Sequence, residues 1–203
     1  MNLVYIHGAS ATGDSFNYIR HHLNYPNETI IEYNSQNGFD RNLESMKKVV
    51  GDLNDIVFVC HSLGGIYALY LADTFPDQVL GAITMSTPYG GAESADYTKY
   101  FLPFSKLLRD IGPASDPMKT ANRIKIQHPW TNIVTTRGDS PWIIQPNDGV
   151  VTVNSMKHRK EMKFEELYIN HYEVVMSPKT VAIVDQFIKD MVDLKNEKSY
   201  NVV

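Results

Sequence analysis

A single cysteine, Cys60, rules out an internal disulfide, and a reducing compartment, the cytoplasm, is the expected location. No apolar run approaches the roughly 18 residues of a membrane span. The N-terminus has neither a basic start nor a long apolar core, so no signal peptide is expected. Charge of one sign is hardly in excess. A net charge of −4 offers no electrostatic ground for nucleic acid or an anionic membrane surface as partner. Among seven histidines there is no His-x-His or His-x-x-x-His spacing, and there is no cysteine pair. Neither a metal nor another cofactor is expected. Repeats and low-complexity tracts are also missing. What is present is ordinary for a globular protein: 43% hydrophobic and 21% charged residues. A length of 203 residues suits one well-cored domain, read as 1–203. Oligomeric state is not legible.

The most informative stretch is Ile56-Val57-Phe58-Val59-Cys60-His61-Ser62-Leu63-Gly64-Gly65. A run of apolar residues leads into a serine between small or permissive neighbours, and an amphipathic segment, Ile66 to Thr74, follows. The pattern predicts strand, sharp turn and helix, with Ser62 at the turn. It is close to the nucleophile elbow G-x-S-x-G, with Cys60 in place of the first glycine. Such a turn is strained, so the positions two before and two after the serine must be small. The helix behind it aims its amides and its positive dipole end at the reacting centre. A second serine, in Gly13-Asp14-Ser15-Phe16, resembles the opening block of the GDSL hydrolases. That family also needs Asp-x-x-His, and no histidine here has an aspartate three residues before it.

Around this stretch, strands alternate with helices. Strands are expected at Leu3–Ile6, Thr29–Tyr33, Ile56–Cys60, Val79–Met85, Thr131–Thr136 and Phe164–Ile169. Helices are expected behind Asp14 and Asp40 as N-caps, after Ser62, and from Ser177-Pro178 onward, where Val181, Val184, Ile188 and Met191 share a side. Residues 89–129 break the rhythm and are read as a helical lid insert within the domain. Alternation of this kind predicts an α/β fold, a three-layer α/β/α sandwich with a mainly parallel sheet of about six strands. Ligands bind such sheets at the carboxyl ends of the strands, where His7-Gly8 and Ser62 both lie.

A serine hydroxyl needs a base, a group to orient that base, and donors for the developing oxyanion. His171, just past the sixth strand, is the leading base, ahead of His128 and His158. His21 and His22 fall on an early helix. Asp148, in Asn147-Asp148-Gly149, leads as the orienting acid because the glycine permits a turn that aims the carboxylate inward; Asp139 is the rival. The oxyanion donors expected are the amides of Leu63 and of Ala9, with Ser10 as the alternative to Ala9. His7, Gly8, Ser10, His61, Tyr89, Tyr97 and Phe101 are the candidates for the substrate-binding surface. The aromatics of the insert either line an apolar acyl pocket or pack its helices.

Taken together, His7-Gly8, Cys60 to Gly65, Ser86-Thr87-Pro88, Asp148-Gly149-Val150-Val151 and His171 resemble the α/β-hydrolase superfamily, in its lipase and esterase branch. The resemblance spans nearly the whole chain and follows that superfamily's order of serine, acid, histidine. It implies strand order 2-1-3-4-5-6 without the usual opening hairpin. It further implies a serine hydrolase acting on carboxylic esters through an acyl-enzyme, with a small-molecule ester or lipid-like substrate. Thioesterase, amidase and acyltransferase chemistry share the same machinery, and a non-catalytic binding protein could keep the fold.

Overall fold

The computed structural model describes residues 1–91, 112–138 and 143–200. Six strands form one open sheet: β1 (Asn2–Ile6), β2 (Glu28–Ile31), β3 (Ile56–His61), β4 (Val79–Met85), β5 (Trp130–Thr135) and β6 (Lys163–Leu167). Their order is β2-β1-β3-β4-β5-β6, and every neighbouring pair is parallel. This is the expected order, with β3 and its serine turn at the middle of the sheet. The helices are α1 (Asn17–Leu23), α2 (Phe39–Val50), α3 (Leu63–Thr74), α4 (Asp116–Ala121), α5 (Val153–Met156) and α6 (Pro178–Tyr200).

The two-residue period of a strand divides the core into two layers. Val4, Ile6, Phe58 and Cys60 face one side, where they pack with Phe39 and Met46 of α2 and Leu63 and Ile66 of α3. Leu3, Tyr5, Val57 and Val59 face the other, with Ile19 of α1 and Val184 and Ile188 of α6. β3 is buried along its whole length, which is why it reads as an unbroken apolar run. The edge strand β6 is mostly exposed and correspondingly carries Lys163, Glu165 and Glu166.

Several boundaries differ from expectation. Asp14 is not an N-cap but lies inside a short 3-10 turn, Gly13–Phe16, where its carboxylate accepts the Asn17 side-chain amide at 3.1 Å. Asp40 sits in the first turn of α2, because Gly38, at φ 85°, makes the turn into that helix. α3 starts at Leu63, ahead of the apolar periodicity. β2 stops at Ile31, since the Tyr33 N–H turns to His7 Nε2 at 3.3 Å and leaves the ladder. β6 ends at Leu167, opposite Thr135, and the Ile169 N–H folds back to the Leu167 carbonyl at 2.9 Å. Pro178 opens α6 as expected, with the Ser177 carbonyl accepting the Val181 N–H at 3.1 Å. Of the expected insert, residues 92–111 lie outside the described residues, and with them Tyr97 and Phe101; Asp139 does as well.

Candidate active site

Ser62 caps α3 with φ 51° and ψ −121°, a conformation that costs a non-glycine residue about 1–3 kcal/mol. Its surroundings enforce it. The Ser62 N–H donates to the Met85 carbonyl at 2.8 Å. Its carbonyl accepts the Thr87 hydroxyl at 2.9 Å and the Gly65 N–H at 3.1 Å. A Cβ on Gly64 would lie 2.0 Å from the Ile6 carbonyl oxygen, and one on Gly65 would lie 2.2 Å from Thr87 Oγ1. The elbow is therefore wedged between β1 and the turn after β4, and only glycine fits at these two positions. Cys60 fills the third small position without exposure, and burial pushes its thiol well above the ordinary range. A buried neutral thiol is inert, so the chain's one cysteine is a packing residue.

His171 and Asp148 are in direct contact. His171 Nδ1 lies 2.7 Å from Asp148 Oδ2, and the His171 N–H donates to the Asp148 carbonyl at 3.0 Å. Asp148 Oδ1 accepts the amides of Val150 at 3.0 Å and Val151 at 2.7 Å. Gly149, at φ 98°, makes the turn that brings those amides round. Burial alone would raise the carboxyl's proton affinity. The His171 charge outweighs it, with hydrogen bonds from His171, Thr135 and Val151, and holds Asp148 below the usual carboxylate range. An ionised Asp148 fixes the proton of His171 on Nδ1 and leaves Nε2 as the acceptor.

His61 links this pair to the elbow. Its Nε2 lies 2.9 Å from the His171 carbonyl, and the two imidazole centres are 4.9 Å apart. Burial, with the nearby His171 charge, pushes the His61 pKa down to about 3. His61 is thus neutral, and its single N–H is the one that faces the carbonyl. Its Nδ1 has no hydrogen-bond partner among the described residues. Ser62 Oγ makes no hydrogen bond among the described residues, so the structure pairs His171 with Asp148 but does not join Ser62 to His171 by a hydrogen bond.

The loop after β1 completes the arrangement. A Cβ on Gly8 would stand 3.2 Å from Ser62 Cβ, so this loop runs directly over the serine. Ser10, at φ 55°, gives its N–H to Ser35 Oγ at 2.8 Å. Its amide is therefore engaged, which favours Ala9 as the donor. The amides of Ala9 and Leu63 make no hydrogen bond among the described residues. His7 donates from Nδ1 to the Gly8 carbonyl at 2.8 Å and stacks on Tyr33 at 4.2 Å. Glu32 Oε1 accepts the Gly13 N–H at 2.7 Å. The turn after β2 thus holds the loop at both ends.

Three residues assigned to the substrate surface lie elsewhere. His7 and His61 are 0% and 5% exposed, and their rings brace backbone. Tyr89 is 1% exposed; its hydroxyl accepts Trp130 Nε1–H at 2.7 Å and meets Thr84 Oγ1 at 3.1 Å. Large polar-tipped side chains read as binding groups when only the sequence is in view, and burial turns them into scaffold. Of the rival bases, His128 precedes β5 at the amino edge of the sheet, opposite Ser62, and His158 is exposed before β6. Missed from the sequence were Thr135, Ser35 and the separate roles of Ser86 and Thr87. For Thr135, Ser86 and Thr87 the available signal was a hydroxyl at the end of an apolar strand; Ser35, in the 3-10 turn Ser35–Asn37, had none. Among the described residues no group of His, Cys, Asp and Glu is arranged to hold a metal ion, and no helix is long and apolar enough to cross a membrane.

No protein family model matches the chain, and no curated protein matches its sequence. Solved structures do match its fold. A monoacylglycerol lipase from Paleococcus ferrophilus is 15% identical, with a TM-score of 0.64 over 95% of this chain and 94% of that one. A lipase from Bacillus licheniformis is 13% identical, with a TM-score of 0.66 over 94% and 91%. A carboxylesterase structure from Nitrososphaera gargenis is 14% identical, with a TM-score of 0.65 over 95% and 91%. The chain has the fold of the α/β hydrolases.

Proposed function

We propose, on the premise of an α/β-hydrolase fold, that this protein is a serine hydrolase that cleaves carboxylic esters through an acyl-enzyme. The observation that carries this reading is the buried Asp148–His171 pair, tied through His61 to a strained serine turn. Ser62 Oγ attacks the ester carbonyl carbon while His171 Nε2 takes its proton. Asp148 holds the resulting imidazolium in place. The carbonyl oxygen becomes an oxyanion, received by the amides of Ala9 and Leu63 and by the positive end of α3. The carbon–oxygen bond to the alcohol then breaks, and the alcohol leaves with the proton from Nε2. Water repeats the sequence on the acyl-enzyme and releases the acid. No cofactor enters these steps. Gly8 borders the serine, and the cap and acyl pocket are proposed for the part of the insert that carries Tyr97 and Phe101, outside the described residues.

Labelling with a fluorophosphonate probe tests the reading. The wild type should be labelled and Ser62→Ala should not. Asp148→Asn should lower ester turnover by about 10³- to 10⁴-fold, the scale set when a triad acid is made neutral. An unlabelled, folded wild type would favour a binding protein that keeps the fold. Labelling that survives Ser62→Ala would place the nucleophile elsewhere.

A further inference from the structure

Behind Asp148 stand two hydroxyls that the acyl-transfer steps do not themselves require. Thr135, the last residue of β5, places Oγ1 2.5 Å from Asp148 Oδ2. Ser86, the first residue past β4, places Oγ 2.7 Å from Thr135 Oγ1. Both are fully buried, so water does not compete for them. Proton counting fixes the direction of the chain. An ionised Asp148 only accepts, so Thr135 gives Oδ2 its one proton. Thr135 oxygen must then accept, which makes Ser86 the donor. Met156 Sδ, at 3.6 Å from Thr135 Oγ1, is the longer and weaker alternative. Oδ2 thus accepts from both His171 and Thr135, while Oδ1 accepts two amides, and the carboxylate has no free position left. Ser86 is held at φ 52°, a left-handed conformation unfavourable for serine, with its N–H on the Ile133 carbonyl at 2.9 Å. Its neighbour Thr87 donates to the Ser62 carbonyl. Two consecutive hydroxyls therefore brace the two halves of the site, Thr87 the serine turn and Ser86 the acid.

We propose that Thr135 and Ser86 are positioning residues that set the orientation and charge of Asp148. The inference rests on the ester-hydrolase reading for its kinetic consequences and on the hydrogen-bond chain for its structural ones. Removing the Thr135 hydroxyl frees Oδ2 to turn and concentrates its charge on the His171 N–H. Thr135→Val should lower kcat about tenfold or more with KM little changed, the loss expected for a hydrogen bond to a charged group. The acid limb of its kcat/KM profile should move to higher pH. Thr135→Ser should recover most of the rate, and Ser86→Ala should move rate and profile the same way by less. The His171 Nδ1–H proton resonance, read without substrate, should move downfield in Thr135→Val and Ser86→Ala. If Thr135→Val does not fold, Ser86→Ala carries the same test. An unmoved resonance in a folded variant overturns the inference, as does an unmoved acid limb with undiminished kcat. A resonance that moves in a protein that no fluorophosphonate labels upholds the positioning chain and defeats the ester-hydrolase reading instead.

Discussion

His61 lies next to the nucleophile in the chain yet serves the base. Its neighbouring position makes direct proton exchange with Ser62 geometrically awkward, and its ring instead spans to the loop carrying His171. A neutral ring is required there. A second positive charge 4.9 Å from His171 would oppose the imidazolium that forms during acyl transfer. Burial supplies that neutrality. His61→Phe keeps an aromatic ring but deletes the Nε2–H, leaving the His171 carbonyl without its donor. Stability should fall by about 1–3 kcal/mol, the cost of an orphaned buried polar group. Turnover should fall with it while KM holds, since the loop that aims His171 is loosened. Urea titration and ester kinetics on the one variant check both; unchanged turnover would show that the carbonyl contact does not position the base. At this scale the sequence was legible where chemistry and chain position coincide. Ser62, Asp148 and His171 each stand just beyond a strand end or beside a turn-making glycine. It was illegible where burial decides, as for His7 and Tyr89, whose types suit a pocket and a core equally.

Elements were legible through their periodicity and blurred at their ends. β3 announces itself because it is buried on both faces, and α6 because Pro178 and an apolar stripe agree. Helix starts depart from expectation at both acidic cap candidates, Asp14 and Asp40. Gly38 and the 3-10 turn at Gly13–Phe16 determine those starts through backbone geometry, which composition does not display. The return from the insert to the sheet depends on Arg159, a contact with no sequence signature. Its guanidinium, 7% exposed, donates to the carbonyls of Ala121 at 2.8 Å and Ile124 at 2.6 Å, and from Nε to Glu161 at 2.7 Å. The Ala121 carbonyl also accepts the Ile124 N–H at 3.3 Å, whereas the Ile124 carbonyl accepts no other hydrogen bond among the described residues. Arg159→Ala therefore strands the Ile124 carbonyl in the interior. A loss of about 1–3 kcal/mol follows from one orphaned buried acceptor, read as a lowered denaturation midpoint. Arg159→Lys should recover only part of it, because an ammonium on a flexible stem does not reproduce the planar fork. Full recovery by lysine would mean that charge, not geometry, holds the α4 end.

For the molecule as a whole, three buried groups around the site, His61, His7 and Asp148, are shifted in the same direction. Burial depresses His61 to about 3 from an ordinary 6.5 and lowers His7 as well. Asp148 is also depressed, through His171 and its hydrogen bonds overcoming burial. Each group binds fewer protons in the folded chain than in the unfolded one at acidic pH. Stability from the histidines is therefore complete above about pH 6.5 and drains away as the pH falls toward the folded value. His61 alone contributes a slope of about 1.4 kcal/mol per pH unit across that window. Asp148 adds its loss below about pH 4, where the unfolded carboxyl starts to take up protons. The same burial that keeps His61 and His7 neutral thus makes the fold acid-labile. Chemical denaturation at a series of pH values should show the unfolding free energy level near neutrality and falling steadily from pH 6 to pH 4. In His61→Phe that fall should be shallower by one histidine's share, even though the variant starts from a lower value. A wild-type stability that stays flat down to pH 4 would mean that these rings find protons, and so water, in the folded state.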